Sequence, residues 1–136
     1  MNKEERQELR KWSAVDLMGW FKQDQMVLIG SGKEVSGYFN EHGLVCYVDD
    51  WAPDSPDAPA WQIEMVIKRM KELGWSRLYV TFLSTSGMIK VAAKFRETMC
   101  NYLVTDWIEA DNLFEAILLA AEAAWPVKHN IHNGKK

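Results

Sequence analysis

What this chain has little of narrows its function classes before any motif is sought. Of 136 residues only Cys46 and Cys100 are cysteine. They sit far apart in strand-like segments, and in a reducing compartment they are expected to be buried thiols rather than a disulfide. No apolar run approaches the roughly 18 residues that span a bilayer, and the opening stretch from Met1 to Arg6 lacks the apolar core of a signal peptide. A cytoplasmic protein with no membrane partner is expected. Positive charge is short as well: 16 Lys and Arg against 19 Asp and Glu give a net charge of -3 and a pI near 5.6. That balance offers no broad counterion-releasing surface, which excludes long nucleic acid as a partner.

The spacings that announce chemistry are also missing. There is no glycine-rich phosphate loop and no nucleophile set beside a base. The acidic run Asp49, Asp50, Asp54 and Asp57 lacks the glycine turn and trailing Glu of a calcium loop, and acids ahead of a helix are explained by capping and the helix dipole. His129 and His132 stand three apart after Pro126 with no third ligand nearby, and His42 lies in a Glu-His-Gly turn without a partner. Val45 and Tyr47 flank Cys46, and apolar neighbours raise a thiol pKa rather than lower it. No catalytic residue, metal or cofactor is expected, and the chain reads as non-enzymatic.

What the chain does have is tryptophan, seven in all, with Trp20, Trp51, Trp75 and Trp125 at the edges of predicted elements. Trp buries a large ring while its N–H still needs a partner, so it suits the rim of a core or a ligand shelf. With 48% apolar and 26% charged residues the composition is that of one soluble domain, expected over 1–126 with a flexible tail over 127–136. Leu9, Trp12, Val15 and Met18 predict a helix over 3–18 ending at Gly19. Residues 26–29 and 44–48 read as strands, separated by a connection over 30–43. Pro53, Pro56 and Pro59 make 49–59 a loop, because proline cannot donate to a strand ladder.

Ser55 or Asp57 is expected to cap the next helix, whose stripe is Ile63, Val66, Ile67, Met70 and Leu73, stopping at Gly74. Alternation predicts a hairpin of 77–83 and 88–98 about the turn 84–87, then a strand over 102–107. Asn112 and Glu115 resemble a capping box opening a helix over 113–125 that stops at Pro126. The order α-β-β-α-β-β-β-α predicts an α+β fold, three helices flanking a mainly antiparallel sheet as an α/β/α sandwich.

Three stretches carry a family resemblance: Asp16 to Trp20 in the first helix, Asp50 to Asp54 with Ala60 and Trp61 opening the second, and Glu115 to Ala121 in the last. They resemble the phage ABA sandwich domain family, small phage and prophage proteins that are mostly uncharacterised. The resemblance implies a layered helix-sheet-helix fold and a phage or prophage source, and brings no catalytic residues. The chain departs from the family pattern in its longer strands and in the number of residues between Trp75 and Asp111.

One stretch points toward a ligand. Alternation over 88–97 puts Lys90, Lys94 and Arg96 on one strand face, and Arg77 and Tyr79 extend that face from the partner strand. Lysines and arginines so grouped suit a phosphate or carboxylate, with an aromatic such as Tyr79 or Trp51 stacking on a base. Two functions follow as expectations: an accessory protein that binds a host or phage partner, and a small-ligand protein that sequesters a nucleotide signal. Helix 113–125, apolar over more than one face and rich in alanine, is the expected surface of a homodimer.

Overall fold

Asn2 starts the first helix, its side-chain oxygen accepting the Glu5 amide at 2.8 Å in front of α1 (Lys3–Trp12). Glu4 and Glu5 in the first turn and Arg10 and Lys11 in the last complement the helix dipole. A computed structural model describes residues 1–27, 30–85, 87–97 and 106–133. In it the α-helical winding ends at Trp12, earlier than expected, and a π-helical turn, Ser13–Leu17, continues it. The wider turn sends Ser13, Ala14 and Leu17 into the core, and Gly19 at φ 74 reverses the chain.

Three strands follow: β1 (Phe21–Val27), β2 (Glu34–Asn40) and β3 (Gly43–Tyr47), antiparallel in the order β1-β2-β3. The expected connection over 30–43 therefore contains the central strand, one strand more before the second helix than the sequence order has. Polar Ser36 and Asn40 and the glycine at 37 hide its alternation. A Cβ at Gly37 would stand 2.8 Å from Leu44 Cδ1, the end of an exposed side chain that can turn aside. Tyr38 turns inward, where Trp20 meets Trp51 edge-to-face at 4.9 Å and Tyr38 at 6.2 Å. A short 3₁₀ turn, Val48–Asp50, delivers Trp51 to that cluster.

The chain divides into two compact units, Met1–Ala52 and Pro53–Lys136. In the second, α2 (Ala60–Glu72) begins at Pro59 without a side-chain cap, and Ser55 instead accepts the Asp57 amide at 3.2 Å in the preceding turn. Ile63, Val66 and Met70 are buried as the stripe predicts, while Ile67 is only half-buried and the polar Gln62 takes an inner position. Gly74, at φ 98, follows the helix end.

The hairpin forms in full: β4 (Arg77–Thr85) pairs with β5 (Met88–Arg96) from Arg77↔Arg96 to Thr85↔Met88, with Gly87 at φ 78 in the turn. A third strand, β6 (Ile108–Ala110), pairs with β5 on its other side. The expected strand over 102–107 lies mostly outside the described residues. Among the described residues the strands thus make two antiparallel three-stranded sheets rather than one, in an α+β fold with three α-helices.

The capping box holds, because the Glu115 amide donates to Asn112 Oδ1 at 2.9 Å and opens α3 (Leu113–Asn133). Ala116, Ile117, Leu118, Ala120, Ala121 and Ala124 are buried as α3 packs on β5, β6 and α2. The face expected to form a homodimer is therefore already used inside its own unit. Nor does the helix stop at Pro126: proline withholds one amide donor there, and the helix runs on to Asn133. Among the described residues, no helix is long and apolar enough to cross a membrane.

Candidate functional site

Hairpin register decides which of the predicted cations meet. Directly opposed residues of an antiparallel pair share a face, so the pairs Arg77↔Arg96 and Tyr79↔Lys94 set four polar side chains in a block at the open end of the hairpin. Arg77 and Arg96 both hydrogen-bond the Tyr79 hydroxyl, which together with their charge holds the phenol below its usual pKa. The Lys94 ammonium lies 5.7 Å from the centre of the Tyr79 ring and 4.4 Å from that of Trp107. Both distances are in the range where a ring quadrupole attracts a cation.

Trp107 is the residue that sequence reasoning missed. It directly precedes β6, and the Ala93↔Ile108 pair fixes where that strand begins, bringing the indole beside Lys94. The residue is 44% exposed, so part of it is open to solvent. The one available clue was its place, immediately before an apolar-polar alternation at Ile108, Glu109 and Ala110.

Two predicted members do not join this block. Lys90 stands opposite Leu83 on the same face, but Ala92 intervenes and four residues of strand separate it from Lys94, roughly 13 Å at the usual rise. Trp51 belongs to the first unit, where it is 1% exposed and its indole N–H donates to Ser13 Oγ at 2.9 Å. It is a core ring and offers no shelf. Glu109, opposite Ala92, adds one exposed carboxylate to the margin of the basic face.

The first unit has a separate groove of about 520 Å³, lined by Lys22, Asp24, Glu34, Val35, Ser36, Val48 and Asp49. Its polar groups largely answer one another. Ser36 donates to Asp24 at 2.8 Å and Lys22 pairs with it at 3.3 Å, and these contacts keep the carboxyl below its usual pKa. Cys46, half-buried on β3, has its thiol pushed up to about 11 by burial and by the nearby Asp50 carboxylate, so it stays protonated at neutral pH. Among the described residues no three His, Cys, Asp or Glu side chains converge as metal ligands would.

No protein-family model, curated protein or solved structure matches the chain.

Proposed function

We propose that this is a non-enzymatic binding protein whose second unit captures a small anion carrying a flat ring, a mononucleotide or a cyclic nucleotide. The observation that carries it is Lys94, held beside both Tyr79 and Trp107 next to a pair of arginines already aligned by the Tyr79 hydroxyl. Guanidinium groups fixed side by side suit the paired oxygens of a phosphate, and the part-exposed indole suits a base. Guanidinium and indole donate hydrogen bonds and stack but have no lone pair with which to take a proton, which suits a site that holds its ligand. The resemblance of Asp16 to Trp20, Asp50 to Asp54 and Glu115 to Ala121 to the phage ABA sandwich domain family supports a phage or prophage source, in which capture of a host nucleotide signal is the accessory role.

The test is a thermal-shift titration of the whole chain against mononucleotides and cyclic nucleotides up to millimolar. Ligand at about ten times its Kd adds about 1.4 kcal/mol to the stability of the native state, which raises Tm by roughly 3–8 °C in a chain of this size. Lys94→Glu with Arg96→Glu should abolish that rise; both side chains are half-buried, so the variant's circular dichroism spectrum and its unliganded melt are recorded alongside to show that the fold is kept. No rise for any ligand would reject the small-anion reading and leave a protein partner as the function.

A further inference from the structure

On the opposite face of the same hairpin the apolar layer is left open. Val91, Ala93 and Phe95 of β5 are buried where α3 packs on β5 and β6. Their neighbours across the ladder and toward the turn continue that layer in chemistry without being covered. Val80 is 38% exposed, Phe82 67% and Ile89 69%. Opposed pairing puts all three on the face of Val91, since Val80 stands across from Ala93, Phe82 from Val91 and Ser84 from Ile89.

The strand that carries Val80 and Phe82 is also the edge of its sheet: in the order β4-β5-β6, no strand among the described residues pairs with the outer side of β4. Edge strands are ordinarily blunted by charge, proline or a bulge. β4 has none of these between Leu78 and Thr85, and its register with β5 runs without a break over all nine pairs. Its one charge is Arg77, at the far end.

We infer that this edge pairs with the β4 edge of a second copy of the chain, in an antiparallel dimer centred on Thr81. The sequence of the strand complements itself in that register. Val80 falls opposite Phe82 of the other copy on the apolar face, twice, and β-branched against aromatic is a favourable cross-strand pair. Tyr79 falls opposite Leu83 on the other face. The two Arg77 side chains end up roughly 27 Å apart along the strands at the usual rise, so the only like charges on the edge do not meet. A register shifted by one residue would set each apolar face against a polar one, which makes this pairing specific. A two-fold axis normal to the sheet then joins two β4-β5-β6 sheets into six continuous strands and merges both open apolar strips. Arg77 and Tyr79 of this strand also belong to the basic face, but the pairing is carried by the backbone edge and the opposite, apolar face, so the dimer does not depend on whether the basic face binds a nucleotide.

Sedimentation equilibrium of the wild-type chain tests it, together with Val80→Lys/Phe82→Lys, which places lysine opposite lysine across the axis at two exposed positions. The wild type should sediment at twice the chain mass at roughly 100 μM and dissociate on dilution, a range usual for small interfaces. The double variant should stay monomeric throughout, with an unchanged circular dichroism spectrum. A wild-type monomer at that concentration overturns the inference, including the case in which another part of the same chain covers the edge. A dimer that survives the double variant also overturns it, because the copies then meet elsewhere, helix 113–125 included.

Discussion

Ser13 is the residue on which the aromatic cluster of the first unit turns. Its hydroxyl donates to the Arg10 carbonyl at 2.7 Å and accepts the Trp51 indole N–H at 2.9 Å, the latter bond fully buried. Ser13→Ala leaves a buried N–H without its acceptor and should cost about 1–3 kcal/mol in urea unfolding, a loss smaller in a Trp51→Phe background where that donor is gone. Equal losses in both backgrounds would show the hydrogen bond to be unimportant. Cys46 makes a pH-dependent contribution. Its folded pKa of about 11 lies above the ordinary thiol value of 9.0, so its contribution is present below pH 9 and lost as pH rises through the folded value. Tyr38, its cross-strand partner, is raised by burial and adds to the same slope. Tm should fall more steeply between pH 9 and 11 in the wild type than in Cys46→Ala, as read by thermal melts across that range. At this scale the sequence disclosed Arg77, Tyr79, Lys94 and Arg96 because alternation alone assigns a strand face. It could not disclose that Trp51 is a core ring or that Trp107 is the open one, since both depend on pairings distant in the chain.

Among the elements, α2 and α3 are where periodic burial translates most directly into stability. Met70 is fully buried whereas Ile67, on the flank of the same stripe, is half-buried. Met70→Ala should cost about 2–5 kcal/mol and Ile67→Ala clearly less, because only the former leaves a closed cavity. Comparable losses would place Ile67 in the core after all. At the start of α3, Asn112→Ala removes the acceptor of the Glu115 amide and should cost about 0.5–2 kcal/mol, with Asn112→Asp retaining most of it. Chemical denaturation separates both pairs. Helices were legible because a 3.6-residue stripe and its caps are local signals. β2 was not, because Ser36, Gly37 and Asn40 look like turn residues, and only the pairing of β2 with β1 and β3 makes a strand of them. The end of α3 was misjudged for the opposite reason: Pro126 is a strong local stop signal, yet the helix runs past it.

At the level of the molecule, a chain of net charge -3 gathers Arg77, Lys94 and Arg96 into one block within the second unit. Within that block the ring faces of Tyr79 and Trp107 attract the Lys94 ammonium. The account rests on Trp107 as the ring that meets the ligand. The most direct test follows indole Nε1–H resonances of 15N-labelled protein during titration with a mononucleotide, with Trp107→Phe and Trp51→Phe assigning the two peaks. The account predicts that the Trp107 resonance moves in a saturable way, that Trp51 stays fixed, and that the movement vanishes in Lys94→Glu/Arg96→Glu. A Trp107 resonance unmoved at millimolar nucleotide, or a shift confined to Trp51, would contradict it.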